Sequence, residues 1–334
     1  MARLPVGKLP SDQLADLMAL LPGGPRVVLG PSVGEDAAVI DMPDRYLVAK
    51  TDPITFATDE IGWYAVHVNA NDIATTGAVP LWFMATLLLP AAHATVALAR
   101  SIFEQIAEAC RSLNVAVVGG HTEITYGFDR PVVVGCMLGE VAKDRLVRTG
   151  GAQPGDVLML TKGAPIEATA ILAREKRERL LQFFSAQDID RCARLLHDPG
   201  ISVVRDAQVA IAAGGVTSMH DPTEGGLATG LWELSEASGC RLEVDLDPDQ
   251  PFWLPEGKAM CAALGLDPAA AIASGALLLA VNPEYVERMT HAFEQAGIAR
   301  FLVGRVAGRG VGVVDVRRGE VARPARDEIA RLFE

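Results

Sequence analysis

Five short polar signatures have the residue types to do chemistry, and they occur in a fixed order along the chain. Each places a carboxylate or an imidazole beside a glycine or a strand end, where the backbone can approach phosphates and oxygen ligands can hold a divalent metal. They are GEDAAV at 34–39, KTDP at 50–53, NAND at 69–72, GGHTE at 119–123 and HDPTEGG at 220–226. One such match means little, but five in order predict a metal–nucleotide site assembled from distant segments.

The first two signatures offer acids beside backbone that suits phosphate. Gly34 lies two residues before Asp36, and glycine-rich backbone exposes N–H groups to phosphate oxygens while carboxylates suit Mg²⁺. Alternation along a strand puts Lys50 and Asp52 on one face, where they could meet a phosphate and its metal. Two alternatives stay open: Asp36 as an acid in a turn before a strand, and Lys50 with Asp52 as a surface ion pair that contributes little stability.

The third signature lies on a helix of small and apolar residues. Asn69 and Asp72 are three positions apart and therefore share one helix face. Because a buried polar side chain without partners is costly, both need an internal hydrogen-bond network or a ligand. The network is the alternative; a carbonyl and a carboxylate side by side favour a metal or nucleotide contact.

The fourth signature follows an apolar strand that we expect to end at Gly119. Gly119 and Gly120 would allow close approach of a ligand to the backbone. His121 could bind phosphate, move a proton or ligate a metal, and Thr122 and Glu123 add oxygen atoms. A lone histidine is more often structural, and this alternative stays open for His121.

The fifth signature precedes a helix. Amide groups at a helix start favour anions, so Asp221 and Thr223 lie where a phosphate could approach. The alternative is helix capping alone, which Asp or Thr does routinely at this position.

Composition limits the function classes. The chain has 334 residues, enough for two domains, and a net charge of −12 without a basic run, so we expect no nucleic-acid binding. The one long uncharged stretch, 73–99, is interrupted by Gly77, Pro80, Pro90 and His93, and no signal peptide is evident. We therefore expect a cytoplasmic protein without a membrane segment. Motifs for a P-loop, a dinucleotide fold or a zinc hydrolase do not occur.

The hydrophobic pattern predicts two domains. Residues 37–138 read as strand, strand, helix, strand, helix, strand, strand, which is an α+β layer with helices on one face. Turn residues at 149–155 predict a boundary, giving domains 1–149 and 150–334, the second an α/β domain. Since both domains carry signatures, we expect the site to involve their contact.

The ordered set resembles the aminoimidazole ribonucleotide (AIR) synthase, or PurM-like, superfamily. The matching segments are GEDAAVI, KTDP, NANDIATTGAVP, GGHTE, HDPTEGGLATGL and ASGALLLAV, spanning about residues 34 to 306. The resemblance is strongest to HypE-like, AIR-synthase-related members. It implies a ferredoxin-like N-terminal domain that pairs with a second copy into a dimeric β-barrel, and a C-terminal α/β domain.

The resemblance also implies ATP with Mg²⁺ bound at the subunit interface of a homodimer. Asp36, Asp52 and Asp72 correspond to metal-binding acids, and Asp221 to an acid of the C-terminal domain that faces the phosphates. The predicted nucleotide contacts are Gly34, Thr51, Asn69, Gly119, Gly120, Thr122, Glu123 and Thr223.

The chain departs from its relatives in three ways. It has no Cys after Cys261, where HypE has a reactive C-terminal thiol, so we expect the cyanation step of HypE to lack its sulfur acceptor here. It has no Cys before Cys110, where selenophosphate synthetase has a reactive residue. His121 stands where HypE and thiamin-phosphate kinase have an acid.

The leading hypothesis is therefore an Mg²⁺-dependent enzyme that uses ATP to phosphorylate or activate a small-molecule substrate. Lys50 and His121 would stabilise developing charge, and Asp221 would orient the acceptor. A second hypothesis is HypE-like hydrogenase maturation, with a partner protein that supplies the missing thiol. A third is a non-catalytic nucleotide-binding module.

Overall fold

The computed structural model describes residue 9 and residues 11–32, 34–54 and 59–333. The chain divides into two compact units. The N-terminal unit comprises Gly24–Gly30 and Asp36–Leu146, and the C-terminal unit comprises Met1–Gly23, Pro31–Glu35 and Val147–Glu334. The first signature is therefore split, because Gly34 belongs to the C-terminal unit and Asp36 to the N-terminal unit.

The N-terminal unit is built on a six-stranded sheet. Its strands are β1 Val27–Leu29, β2 Ala38–Asp41, β3 Tyr46–Ile54, β4 Val79–Pro90, β5 Ala116–Thr125 and β6 Val132–Val141, in the spatial order β1-β2-β3-β6-β4-β5. Among the described residues of this sheet, only the β4–β5 pair is parallel. The predicted order of strands and helices over 37–138 is confirmed, and β1 is an added strand.

Two helices cover one face of this sheet. They are α2 Ile61–Thr75 and α3 Val96–Ser112. Almost every residue of α2 is buried, because the helix lies between the sheet and α3. Gly62 permits the crossing of the helices, since a Cβ there would lie 2.6 Å from the carbonyl oxygen of Ile102.

The opposite face of the sheet is less covered. Along β4 and β6 the side chains alternate between fully buried and partly exposed, as expected when one face alone packs against helices. The partly exposed set is largely apolar and includes Trp82, Met84, Leu88, Val134 and Leu138.

Strand β5 forms an exposed edge of the sheet. Val117, Val118 and Ile124 are each more than half exposed. The prediction that this strand ends at Gly119 is wrong, because β5 continues to Thr125 in register with β4. The fourth signature is thus extended strand and not a loop.

The C-terminal unit contains a seven-stranded sheet in the order β13-β12-β9-β11-β7-β10-β8. The strands are β7 Val157–Thr161, β8 Val216–His220, β9 Cys240–Val244, β10 Leu278–Val281, β11 Arg300–Arg309, β12 Gly312–Asp315 and β13 Gly319–Glu320. The helices are α1 Ser11–Met18, α4 Ile166–Glu175, α5 Arg177–Leu180, α6 Ala186–Ala193, α7 Val204–Ala213, α8 Gly226–Ser238, α9 Pro255–Leu264 and α10 Val286–Ala296.

Leucine and valine side chains from β7, β9 and β10 form the core of this unit with the apolar face of α8. Lys176 separates helix α4 from helix α5. Within the described residues, no α-helix has the length and apolar character needed to cross a membrane.

Candidate functional site

The second and third signatures meet around the ammonium group of Lys50. Strand β3 carries Lys50 and Asp52 on the face that packs against α2, and α2 carries Asp72. Lys50 Nζ lies 2.9 Å from Asp72 Oδ2 and 3.1 Å from Asp52 Oδ2. The structure therefore brings three of the predicted site residues into one ion-paired cluster.

Asp36 also acts on this cluster. Burial opposes the charge on Lys50, but the carboxylates of Asp72, Asp52 and Asp36 outweigh it and hold the pKa of Lys50 above its ordinary value. Asp36 Oδ2 accepts a hydrogen bond from Thr75 Oγ1 at 3.3 Å, which ties it to the end of α2. The three predicted metal-binding acids thus act electrostatically on one partly buried cation.

The Asn69 side chain joins α2 to the backbone of β3 through hydrogen bonds. Its Oδ1 accepts from the Asp52 N–H at 2.9 Å, and its Nδ2 donates to the carbonyls of Ala65 at 2.8 Å and Asp52 at 3.4 Å. The side chain is fully buried. This geometry matches the hydrogen-bond network that stood as the alternative for Asn69, and its predicted contact with nucleotide stays a prediction.

Thr51 and Gly34 have local roles in the fold. The Thr51 hydroxyl donates to the carbonyl of Gly135 on the neighbouring strand at 2.8 Å. Gly34 has a positive φ of 85°, and a Cβ there would lie 3.2 Å from the carbonyl oxygen of Glu233 on α8. The predicted nucleotide contacts at these two positions stay predictions.

His121 lies apart from the Lys50 cluster within one chain. Lys50 pairs with Met137, and Met137 pairs with Phe83, all on the helix-covered face. His121 pairs with Thr86, which lies three residues after Phe83 on β4. Because side chains alternate along a strand, Thr86 and its partner His121 project from the opposite face of the sheet. Three strand spacings also separate β3 from β5, about 14 Å. Lys50 and His121 therefore cannot act together within a single subunit.

His121 and Glu123 form an exposed pair on β5. His121 Nε2 lies 3.3 Å from Glu123 Oε2, and both side chains are more than half exposed. Thr122 lies between them and is also exposed. Such a pair contributes little stability, which leaves these side chains available for contacts outside the chain.

The two glycines of this signature differ in their surroundings. A Cβ on Gly120 would lie 2.3 Å from the carbonyl oxygen of Ala85, whereas a Cβ on Gly119 would have only Met84 atoms at ordinary contact distance. The close approach of β4 explains the glycine at Gly120 without a ligand.

The fifth signature connects β8 to α8. Asp221 follows β8 directly and is almost fully buried, while Thr223 is half-buried. The N-cap of α8 is Gly225, which has no side chain, so neither Asp221 nor Thr223 occupies the capping position. The Gly225 N–H donates to Asp327 Oδ2 at 2.6 Å, which fastens this loop to the end of the chain.

The sequence patterns missed an acidic cluster around this loop. Burial raises the pKa of Glu167, on the first turn of α4, to about 8, and Asp327, Asp221 and Glu224 add to the shift while Ser274 opposes it. Burial likewise raises the pKa of Asp327 to about 6, against the hydrogen bonds it accepts from Gly225 and Ile329. No sequence motif marked Glu167 or Asp327, because they come from helix α4 and the far end of the chain.

The Lys50 cluster has ligands of the kind that Mg²⁺ prefers. Carboxylate oxygens suit this hard cation, and three carboxylates with one ammonium carry a formal charge of −2. Yet Asp52 and Asp72 each direct an oxygen at Lys50, and the described residues contain no group of three or more His, Cys, Asp or Glu arranged to hold a metal. The residues therefore fit an ion that takes most of its ligands from phosphate and water, as Mg²⁺ commonly does.

Family comparison accounts for both units. The model of the AIR synthase related protein N-terminal domain matches residues 34–141, and that of the C-terminal domain matches residues 153–317. The chain therefore belongs to the AIR synthase related family. The predicted two-domain PurM-like α+β fold is confirmed, as is the predicted resemblance to HypE.

Curated relatives carry hydrogenase-maturation names. The chain is 35% identical over 243 residues to carbamoyl dehydratase HypE of Cupriavidus necator. The alignment covers 70% of this chain and 65% of the relative, so the chain spans just under two thirds of the relative's length. It is 31% identical over 287 residues to HypE of Rhizobium leguminosarum bv. viciae, covering 82% of this chain and 77% of the relative.

Solved structures share the fold. A HypE structure in complex with ATP superposes with a TM-score of 0.70 at 23% identity and covers 89% of this chain and 91% of that chain. A ThiL structure complexed with AMPPCP and TMP gives 0.72 at 18% identity, with coverage of 95% and 94%. A HypE–HypF complex gives 0.70 at 21% identity, with coverage of 87% and 94%.

Proposed function

We propose that this protein is an Mg²⁺-dependent enzyme that uses ATP to phosphorylate or activate a small-molecule substrate. The observation that carries the proposal is the partly buried Lys50 ammonium held between Asp52 and Asp72 and influenced by Asp36. A lysine and several carboxylates in one half-buried site suit a triphosphate and the cation that accompanies it. Solved relatives of the same fold are described in complex with ATP and with AMPPCP.

The side chains of the cluster take distinct roles. Asp36, Asp52 and Asp72 would hold Mg²⁺, which when bound screens the phosphate charge. Lys50 would exchange one of its two carboxylate partners for a phosphate oxygen when ATP binds. A lysine side chain can do so because its ammonium is a compact charge on a flexible chain. Asn69 keeps the Asp52 backbone in place while this exchange occurs.

The acceptor side of the reaction is assigned to the fifth signature. Asp221 lies immediately before a loop that leads into the start of α8, where backbone amides favour anions. In this assignment Asp221 orients the acceptor, and Thr223 contacts phosphate. His121 and Glu123 take part through a second copy of the chain.

The exposed strand β5 of the N-terminal unit supports the proposal of a homodimer. A long exposed edge strand with apolar side chains, next to a half-covered apolar sheet face, invites pairing with another strand. A second copy pairing there would form the β-barrel that the resemblance implies. The pairing would also bring the exposed His121–Glu123 pair to the subunit interface.

Binding of ATP is tested by thermal unfolding with millimolar ATP and Mg²⁺. A ligand at 100 times its Kd stabilises the folded state by about 2.7 kcal/mol, so the native protein should melt several degrees higher. Asp52→Asn and Asp72→Asn should reduce this shift, whereas Asp44→Asn, on an exposed turn of the same unit, should keep it. No shift for the native protein contradicts the proposal.

Turnover is tested separately by screening a metabolite library for ADP release. Release that depends on one compound class identifies the substrate. Nucleotide binding without release from any compound would favour the non-catalytic nucleotide-binding module.

HypE-like maturation is the second candidate, supported by the names of the curated relatives and by the solved HypE–HypF complex. Burial raises the pKa of Cys110 and Cys192 to about 11 and that of Cys261 to about 12, and it also raises the pKa of Cys136. These thiols are poor nucleophiles at neutral pH. A partner would therefore supply the thiol, and co-elution with a purified HypF- or HypD-type protein is the test. Separate elution at micromolar concentrations contradicts it.

A further inference from the structure

Glu167 is a buried acid in the C-terminal unit with capacity for hydrogen bonding that the described residues do not use. The residue is 4% exposed, on the first turn of α4. Its Oε2 atom has no hydrogen-bond partner among the described residues, and the same holds for the hydroxyl of Ser274. Ser274 lies close enough to Glu167 to lower its pKa through a weak side-chain hydrogen bond, but no bond of ordinary length and angle joins its hydroxyl to Glu167 Oε2.

Such an arrangement is costly for the folded protein. A buried carboxyl oxygen without a partner loses its bonds to water and gains none in return. Native proteins keep such groups rarely, and they concentrate where a ligand completes the bonding. Glu167 and Ser274 therefore have the features of a binding site and not of a packed core.

The surroundings of Glu167 hold it in a fixed place. Three segments meet there: the first turn of α4, the 221–226 loop and the segment before β10. A Cβ on Gly226 would lie 2.6 Å from the carbonyl oxygens of both Ala269 and Ala271, so the loop and this segment are in close contact. Asp327 fastens the same loop through Gly225.

The charges of the site select the ligand. The groups that act on Glu167 include the hydroxyl of Ser274 and the carboxylates of Asp327, Asp221 and Glu224. All three carboxylates favour the presence of a positive charge beside Glu167. Because the described residues form no metal-ligating cluster, a cation that carries N–H donors fits better than a metal ion. An amidinium or ammonium group could donate to Glu167 Oε2 and to Ser274 Oγ together.

We propose that Glu167 and Ser274 bind a cationic nitrogen group, an amidinium or a primary ammonium, of the small-molecule substrate. This inference rests on the proposed function, because it takes the 221–226 loop as the acceptor side of that reaction. On binding, the Glu167 carboxylic acid releases its proton to solvent, and the carboxylate that forms pairs with the cation. The half-buried Thr223 and Glu224 mark the side from which the substrate would enter.

Acetamidinium and acetamide are the probes, since they have nearly the same shape and differ in charge. Ligand-observed NMR on the full chain should detect acetamidinium binding that strengthens about tenfold from pH 7 to pH 9 as Glu167 ionises. Calorimetry in buffers of different ionisation enthalpy should show release of about one proton at pH 7. Acetamide should bind more weakly at every pH.

Glu167→Gln keeps the shape of the side chain and should abolish both the binding of acetamidinium and the proton release. Ser274→Ala should weaken the binding of acetamidinium. This variant provides the test if Glu167→Gln folds poorly. Glu178→Gln, on the exposed part of the same helical region, is the matched control and should bind as the native protein does. Absence of acetamidinium binding to the native protein, equal binding of acetamide, or unchanged binding by Glu167→Gln each overturns the inference.

The ATP–Mg²⁺ thermal shift separates this result from the proposed function. A native protein that binds ATP but not acetamidinium retains the proposed function and loses only this inference. A protein that fails to bind ATP loses the proposed function whatever acetamidinium does.

Discussion

Asn69 Oδ1 accepts a hydrogen bond from the backbone N–H of Asp52 at 2.9 Å, which couples α2 to β3 beside Lys50. Two residues of different signatures are thus joined by an amide that is itself fully buried. The carboxylate of Asp52 takes its position from this bond, because the bond fixes the backbone from which the side chain projects.

Replacing Asn69 with Ala should cost about 1–3 kcal/mol of folding stability, since the Asp52 N–H loses its partner inside the protein. It should also weaken ATP–Mg²⁺ binding through displacement of Asp52. Urea denaturation and nucleotide titration measure the two effects. Asn69→Asp keeps an acceptor for the Asp52 N–H and should lose less nucleotide affinity than Asn69→Ala. Equal nucleotide affinity in the native protein and in Asn69→Ala would show that the Asn69–Asp52 hydrogen bond has no part in the site.

The glycine pair on β5 should respond very differently to the same substitution. Gly120→Ala places a Cβ against the Ala85 carbonyl and should cost about 1–3 kcal/mol or more, because backbone must shift. Gly119→Ala is its matched control and should change stability by less than about 0.5 kcal/mol. Denaturant midpoints measure both. Equal effects of the two changes would contradict the strand register described for β4 and β5.

Glu167 should give folding stability an unusual pH dependence. Its pKa in the folded protein, about 8, lies above the ordinary value of 4.5, so the folded state binds the proton more tightly than the unfolded state. The resulting stability is present at low pH and is lost as pH rises toward 8, by up to about 1.4 kcal/mol per pH unit. Urea denaturation from pH 6.5 to 9 should show this decline and a plateau above pH 8.

Glu167→Gln removes the titrating group and should flatten the profile over that range. The range starts at pH 6.5 because Asp327, with its pKa raised to about 6, adds a decline of its own at lower pH. A native profile as flat as that of the variant would show that Glu167 is already ionised at neutral pH in the folded protein.

A charge on the exposed edge strand should prevent self-association. Val118→Lys and Ile124→Lys place an ammonium on β5, and lysine on an edge strand opposes strand pairing. Sedimentation velocity should show a dimer for the native protein and a monomer for these variants. Val311→Lys, at an exposed apolar position of the C-terminal unit, is the control and should leave the dimer intact. A monomeric native protein contradicts the proposed homodimer.

The sequence by itself determined much of the fold. The apolar run of β4, the small and apolar residues of α2 and the helical repeat of α3 are local properties, and they identified the α+β layer of the N-terminal unit. Strand β1 escaped, because its three residues carry too little periodicity. The end of β5 was misplaced because glycine is ordinarily a strand breaker, whereas here Gly120 fits the close approach of β4.

The sequence also indicated that Lys50, Asp52 and Asp72 belong to one site, since strand alternation and helix spacing place each on a definite face. Only the tertiary structure decided what those faces meet. It paired Lys50 with two of the acids, turned Asn69 inward to the Asp52 backbone, and put His121 on the opposite face of the sheet.

The acidic cluster of the C-terminal unit depended wholly on tertiary structure. Glu167 and Asp327 are 160 positions apart in the sequence, and no local pattern distinguishes them from other acids. Their raised pKa values come from burial and from neighbouring carboxylates, which arise only when α4, the 221–226 loop and the end of the chain pack together. Spacing along the chain sets which way a side chain points, but long-range packing sets how much water and which charges surround it.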